Sequence, residues 1–331
     1  MIRPGLFLAI TFAACVAIAG ALDAEAAQKP AAPAAAPKGG GWSTSETPAG
    51  AYDPAYAAYD SGRYEQALKL ASEGAGKGEV QAETLLGRLY SEGSGVRQND
   101  AKAVEWFTKA AVAGDKHAQF ELGLMLAKGR GAKQDEKKAA DFFEAAAQQG
   151  HTLAAYNLAQ SYVQGWARQQ DLQKAAYWFE QAARKDHSQA AYDLATLYKR
   201  GEGVPRDEAK AAGWLAKAAA LGNADAQLEY AIALGAGKGV PKDEAGAVAL
   251  FRLAAERGNA VAQNRLARAY SAGVGLDKDR IQAAKWHILA RQAGESDLRM
   301  DFFVMSLRPD ERKQAEALAQ VWREETGEAA R

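Results

Sequence analysis

The chain has 331 residues, and its 41 Lys and Arg balance 41 Asp and Glu, so the formal net charge is zero. Hydrophobic residues make up 48% and charged residues 25%, which is typical of a folded protein. Nucleic-acid binding is not expected, because no surplus of basic residues is present to neutralise phosphates. The single cysteine, Cys15, excludes a framework of disulfides.

The first 26 residues have the features of a secretory signal. Arg3 precedes an apolar run over residues 6–22, and the small-x-small triplet Ala24-Glu25-Ala26 follows it. We therefore predict cleavage after Ala26 and a periplasmic or secreted protein. The alternative is an uncleaved anchor in the inner membrane that faces the periplasm, in which case the membrane is contacted only through this segment.

Residues 27–51 form a stretch rich in Pro, Ala and Gly, with Trp42 as its only large apolar residue. Such a composition buries too little apolar surface to offset the entropy of ordering. This segment is predicted to be a disordered linker.

A 36-residue period organises the rest of the chain. Three positions hold alanine and one holds glycine in all six copies, and a fifth is bulky. The alanine rows are Ala82, Ala118, Ala154, Ala190, Ala226 and Ala262; Ala103, Ala139, Ala175, Ala211, Ala247 and Ala283; and Ala110, Ala146, Ala182, Ala218, Ala254 and Ala290. The glycine row is Gly93, Gly129, Gly165, Gly201, Gly237 and Gly273, and the bulky row is Trp106, Phe142, Trp178, Trp214, Leu250 and Trp286.

Each copy has the pattern of a helix pair. Apolar residues spaced by four, such as Leu122 and Leu126, predict a first helix that ends at the glycine row. An aspartate then precedes the second helix as its predicted N-cap, at Asp135, Asp171, Asp207, Asp243 and Asp279. One pair cannot bury its apolar face alone, so the copies are predicted to stack into a right-handed, all-α superhelical solenoid.

The period divides the chain into six repeats between two caps. The repeats are residues 82–117, 118–153, 154–189, 190–225, 226–261 and 262–297. Residues 52–81 are predicted to be an N-terminal capping helix pair, residues 298–325 a closing pair, and residues 326–331 a tail. Pro309 suits the first position of the last helix.

The stretch from Ala82 to Gly114, AETLLGRLYSEGSGVRQNDAKAVEWFTKAAVAG, resembles the Sel-1-like repeat, which is related to the tetratricopeptide repeat. The resemblance is strong over residues 82–297 and weak over 52–81. It implies stacked helix pairs, and adaptor roles in signalling, envelope and quality-control complexes, many of them in exported proteins. A cysteine-rich branch linked to penicillin binding is also similar, but this chain lacks the cysteine pairs of that branch.

No pattern indicates catalysis, a cofactor or a metal. Gly235–Gly239 and Gly74–Gly78 contain a Gly-Ala-Gly-Lys-Gly sequence, but neither has the Ser or Thr after lysine that a phosphate loop requires. The aspartate row is spaced by whole repeats, too far apart to share one ion. We therefore expect a protein without cofactor or metal and without enzymatic activity.

A surface formed by the first helices is the remaining candidate site. By analogy with tetratricopeptide repeats, these helices are predicted to line a concave groove, where aromatic residues are favoured anchors. Trp166 is added because the third copy departs from the Gly-x-Gly turn of the others. The candidate partner-binding residues are Phe120, Leu124, Tyr156, Tyr192, Lys199, Arg200, Leu228, Ile232 and Trp166. Phe120, Tyr156 and Tyr192 share one repeat position, which we call the aromatic row. Packing of this row between helices is the alternative that this reasoning leaves open.

The sequence therefore predicts a monomeric scaffold that binds a protein or peptide partner in the bacterial envelope, with regulation of a membrane sensor as one version. The alternatives are an enzyme that acts on cell-wall or β-lactam substrates and a passive cell-wall-binding module. The bulky row also predicts that Trp178→Ala lowers the free energy of unfolding by about 3–5 kcal/mol.

Overall fold

The computed structural model describes residues 53–326, which form sixteen helices and no strand. The predicted signal peptide, linker and last five residues of the tail lie outside the described residues. Two helices come first, α1 (Pro54–Asp60) and α2 (Tyr64–Gly76). Two others close the array, α15 (Leu298–Met305) and α16 (Pro309–Thr326). Between them lie six pairs of helices in which every helix has 13 residues.

The first helices of the pairs begin at intervals of 36 residues, and so do the second helices. The first helices are α3 (Val80–Glu92), α5 (Lys116–Lys128), α7 (Thr152–Gln164), α9 (Ser188–Arg200), α11 (Ala224–Ala236) and α13 (Ala260–Ala272). The second helices are α4 (Asp100–Val112), α6 (Glu136–Gln148), α8 (Leu172–Arg184), α10 (Glu208–Ala220), α12 (Glu244–Glu256) and α14 (Arg280–Gln292). Each helix from α1 to α14 packs against the next in order, and α16 packs against α14. The predicted solenoid of helix pairs is confirmed.

The ends of the helices follow the predicted chemistry. Each first helix ends at a glycine in the left-handed conformation, which a residue with a Cβ adopts only with strain. The predicted aspartates cap the second helices: Asp171, for example, accepts a 3.0 Å bond from the Lys174 amide. These caps fix where each helix begins and ends, and they hold all six pairs in one register.

The three alanine rows form the centre of the core, because each of their residues is at most 3% exposed. Small side chains at these positions let the backbones of neighbouring helices approach closely. In the first five repeats the large core residue is not the bulky residue of the sequence pattern but the one after it, whereas in the sixth repeat Trp286 is itself buried. Trp178 is half-buried, whereas Phe179 is 2% exposed, and Phe107 and Phe143 are buried in the same way. Trp178 therefore packs at the edge of the core, and the loss of stability expected for Trp178→Ala is smaller than the sequence suggests.

A buried glutamine joins each of three first helices to the second helix before it. The side-chain amides of Gln119, Gln227 and Gln263 donate to the carbonyls of Ala111, Ala219 and Ala255, each at 3.2 Å. The amide oxygen of Gln119 accepts from Gln149, and that of Gln227 accepts from Arg257. In the last repeat Ala293 stands at the position that the donors Gln149 and Arg257 occupy in earlier repeats. Since alanine has no side-chain donor, the buried Gln263 oxygen has no partner within residues 53–326.

We expect Ala293→Gln to raise the free energy of unfolding by about 1 kcal/mol, because it supplies a donor to a buried acceptor. Thermal denaturation followed by circular dichroism measures the change. Ala293→Leu is the control, since it adds a similar volume without a donor and Leu221 occupies the equivalent position. An equal gain from both variants would show that bulk, not the hydrogen bond, stabilises this position.

Candidate protein-binding face

The first helices lie side by side, and α3 contacts both α1 and α5. Hydrogen bonds between side chains join neighbouring first helices further along the array. Gln160 on α7 donates to Asp193 on α9 at 3.1 Å, and Tyr192 on α9 donates to Glu229 on α11 at 3.1 Å. We use the name first-helix face for the partly exposed side chains of α5, α7, α9 and α11, which include Glu121, Leu124, Tyr156, Gln160, Gln189, Tyr192, Asp193, Thr196, Glu229 and Ile232.

The aromatic row is divided between the core and this face. Phe120 is only 6% exposed, and its ring stacks on that of His151 with 4.4 Å between ring centroids. Tyr156 stacks in the same way on His187 at 4.5 Å, but it keeps part of its surface exposed. Tyr192 is also half-buried, and its hydroxyl reaches the next repeat. The two tyrosines are thus accessible to a partner, whereas Phe120 is mainly a core residue.

The aliphatic candidates line the face beside these rings. Leu124 and Leu228 are half-buried and pack against the two large core clusters. Ile232 is 39% exposed and is the most exposed apolar side chain among the predicted site residues. An exposed isoleucine between polar neighbours offers apolar surface that a partner can cover.

The two basic candidates differ in their surroundings. The Lys199 ammonium lies 2.9 Å from the Glu229 carboxylate, whose other oxygen accepts from Tyr192. This network links α9 to α11, so Lys199 is engaged within the fold. Arg200 is exposed, and its guanidinium is 3.9 Å from Glu202. The Arg200 side chain is therefore held less firmly by its neighbours than the Lys199 side chain is.

In the unusual turn of the third repeat, an arginine bonds to the preceding repeat. Trp166 is half-buried and packs against the core. Arg168, two residues later, reaches Asp141 at 2.8 Å and Glu144 at 2.7 Å on α6, and it donates to the Tyr162 hydroxyl at 3.3 Å. These bonds join the turn to the preceding repeat and account for the departure from the glycine pattern.

His151 and His187 have a structural role that the sequence analysis did not assign. Each is the N-cap of a first helix, and its ring Nδ1 accepts from a backbone amide, that of Ala154 at 3.2 Å or Ala190 at 3.1 Å. Nδ1 accepts only in the neutral ring, and burial lowers the pKa of His187, which favours that form. The two histidines therefore hold the positions that Asp115, Asn223 and Asn259 hold in other repeats.

Asp193 is the residue of this face that the sequence analysis missed. It follows Tyr192 directly, at the position that Glu121, Asn157 and Glu229 occupy in other repeats. Its carboxylate accepts from Gln189 at 3.0 Å and from Gln160 at 3.1 Å, and it also bonds the Tyr156 hydroxyl. The signal in the sequence is the row one place after Phe120, Tyr156 and Tyr192, which holds three acidic residues and one asparagine in the four middle repeats.

Burial raises the pKa of Asp193 from 3.8 to about 6, although the bonds from Gln189 and Tyr156 act in the opposite direction. Among residues 53–326 no lysine or arginine forms an ion pair with it. The neutral donors therefore compensate only part of the desolvation of the carboxylate. At neutral pH Asp193 is ionised at a cost to stability.

We expect Asp193→Asn to raise the free energy of unfolding at pH 7.5, on the order of 2 kcal/mol, because it removes a desolvated charge. Asparagine can keep the contacts when the Gln160 amide rotates. A carboxyl with a raised folded pKa stabilises the protein below pH 4, and this contribution is lost as the pH rises to about 6. The stability gap between variant and wild type should widen over that interval and then stay constant. A gap independent of pH would contradict the assignment.

Two further features are absent from residues 53–326. No group of three or more His, Cys, Asp or Glu side chains is arranged to hold a metal ion there. Within the same range, none of the helices combines the length and the apolar character needed to cross a bilayer.

Comparison with known proteins identifies the repeat. The family model described as Sel1 repeat matches six consecutive segments: residues 80–115, 116–151, 152–187, 188–223, 224–259 and 260–295. The chain belongs to the Sel1 repeat family. Proteins with this repeat generally mediate protein–protein interactions, and the fold is typically a non-catalytic scaffold.

Two solved structures of the family resemble the chain at 30% sequence identity. One is a Sel1 repeat protein from Oxalobacter formigenes, with a TM-score of 0.59 over 72% of this chain and 98% of that one. The other is c5321, a protective antigen of uropathogenic Escherichia coli strains, with a TM-score of 0.52 over 82% of this chain and 68% of that one. Among curated protein sequences, none matches the chain.

Proposed function

We propose that the chain is a scaffold of the bacterial cell envelope that binds a partner polypeptide along its first-helix face. The observation that carries this proposal is the accessible combination of Tyr156, Tyr192 and Ile232 on neighbouring helices. Rigid aromatic rings beside polar groups are the usual anchors of a protein interface. The side-chain bonds between α7, α9 and α11 hold these residues in place before a partner arrives.

The envelope location rests on residues 1–26 alone. Export followed by cleavage after Ala26 places the repeats in the periplasm, where they can meet the outer domain of a membrane sensor or another envelope complex. N-terminal sequencing of the protein purified from the periplasmic fraction tests this. A chain that begins at Met1 in the membrane fraction would support the anchored alternative, and a chain that begins at Met1 in the cytoplasm would contradict export.

Photocrosslinking in living cells tests the binding face. A photoreactive amino acid at Thr196 or at Ile232 should capture the same polypeptide, because both side chains belong to the first-helix face. The control position is Ala249, which is exposed on the second helix α12. Capture from Ala249 that equals capture from Thr196 and Ile232 would contradict the assignment of this face.

A double variant, Tyr156→Ala with Tyr192→Ala, separates binding from packing. We expect it to weaken partner capture by at least tenfold while the helical content remains that of the wild type. Tyr156 also stacks on His187, so some loss of thermal stability is expected. A loss of capture seen only at temperatures where the variant is unfolded would mean that the two rings serve packing alone.

A further inference from the structure

Several acidic residues on or next to the first helices are paired with bases of the same fold. Glu92 pairs with Arg88 at 2.9 Å, Glu229 with Lys199 at 2.9 Å, and the buried Asp297, which precedes α15, with Arg268 at 2.5 Å. Asp193 differs from them, because its partners among the described residues are two amides and a hydroxyl. A carboxylate held by neutral donors keeps its negative charge unbalanced when it is ionised.

The surroundings of Asp193 suit a cation that arrives from outside. Tyr192 directly precedes it in the sequence, the Tyr156 hydroxyl bonds to it from α7, and both tyrosines keep part of their surface exposed. Aromatic rings next to a carboxylate favour Lys or Arg, since the ring faces attract a cation while the carboxylate pairs with it. Thr196 and Ile232 continue the face, so a longer segment finds polar and apolar contacts beside the charge.

We propose that Asp193 receives a lysine or arginine side chain of the polypeptide that docks on the first-helix face. This inference rests on the function proposed above and specifies the chemistry of the partner. The incoming ammonium or guanidinium replaces its water shell with the carboxylate and the tyrosine rings. The fold keeps Gln189 and Gln160 as the donors that orient the carboxylate.

Glu121 is a second carboxylate of this face, two repeats away in the same row. Burial raises its pKa, although the charges of Arg88 and Arg130 act in the opposite direction. A partner with basic residues along its length would therefore meet two carboxylates on this face.

Selection from a phage library of random dodecapeptides tests the proposal with the full chain as bait. At pH 7.5 and low salt, peptides that bind the wild type should be enriched in Lys and Arg. The same selection on Asp193→Asn should lose that enrichment. Asp277→Asn is the matched control, because it makes the same change of charge in an exposed loop and should select basic peptides as the wild type does.

Affinities of the selected peptides supply the quantitative readout. A basic peptide should bind Asp193→Asn about tenfold more weakly than the wild type, and should bind Asp277→Asn with unchanged affinity. Wild-type affinity should also fall between pH 7.5 and pH 5, as Asp193 takes up a proton, and Asp193→Asn should lack this dependence.

The outcomes distinguish this inference from the function on which it rests. Peptides that bind the first-helix face without basic enrichment, or with affinities unaffected by Asp193→Asn, would overturn the role of Asp193 and leave the binding face intact. Failure to select any peptide would overturn both. Self-association of the wild type that Asp193→Asn abolishes would also overturn the proposal, since the occupant would then be a second copy of this chain.

Discussion

Phe179→Ala should lower the free energy of unfolding by about 3–5 kcal/mol, the range for removing a buried phenylalanine. Phe179 is 2% exposed, and its ring lies 5.8 Å from that of Tyr156 on the preceding first helix. Truncation leaves a cavity between α7 and α8, and the helices cannot close it because capped turns and alanine contacts fix their spacing. Chemical denaturation of the full chain, followed by circular dichroism, measures the loss.

The two residues that precede Phe179 on α8 provide the controls for this experiment. Trp178 is half-buried and Tyr177 is 54% exposed, so their alanine variants should cost about 1–2 kcal/mol and less than 1 kcal/mol. The expected order of destabilisation is Phe179, then Trp178, then Tyr177. If Trp178→Ala destabilises the protein as much as Phe179→Ala does, Trp178 is a core residue of equal weight and our assignment from burial is wrong.

The difference between Trp178 and Phe179 shows which features of the fold can be predicted from the sequence alone. The 36-residue period, the helix pairs and the aspartate caps are properties of local patterns, so they could be predicted from spacing. The rotation of α8 about its axis is set by contacts with two neighbouring helices at once. Adjacent residues such as Trp178 and Phe179 differ by about 100° around a helix, and both are large and apolar, so residue type could not decide between them.

The candidate site shows the same division. Tyr156, Tyr192 and Ile232 could be selected from the sequence because they lie in two rows, four places apart, that recur with the period. The importance of Asp193 depends on which side chains of α7 meet it, namely Gln160 and Tyr156. These partners lie 33 and 37 residues before Asp193, and no local pattern indicates that they meet. Charge balance between repeats is therefore visible only in the folded array.

The second large effect is expected at a turn. Gly239→Ala should lower the free energy of unfolding by about 3–4 kcal/mol, for two reasons that add. The residue has φ +70°, where a side chain is strained, and an added Cβ would lie 2.0 Å from the carbonyl oxygen of Glu208 in the preceding repeat. That oxygen belongs to the backbone of α10, so it can move only with the helix. Thermal denaturation of the full chain measures the loss.

Gly222→Ala isolates the first of these two reasons. Gly222 has φ +85° with no atom within 4 Å of an added Cβ, so its variant should lose only about 1–2 kcal/mol. Ala167, which stands in the third repeat at the position of Gly239, supports the argument. Its φ is not positive, because within residues 53–326 the only residue other than glycine with positive φ is Asp186. The turn there leaves the left-handed conformation, and Arg168 joins it to α6 instead. Equal losses from Gly239→Ala and Gly222→Ala would show that the neighbouring repeats are not packed tightly at this turn.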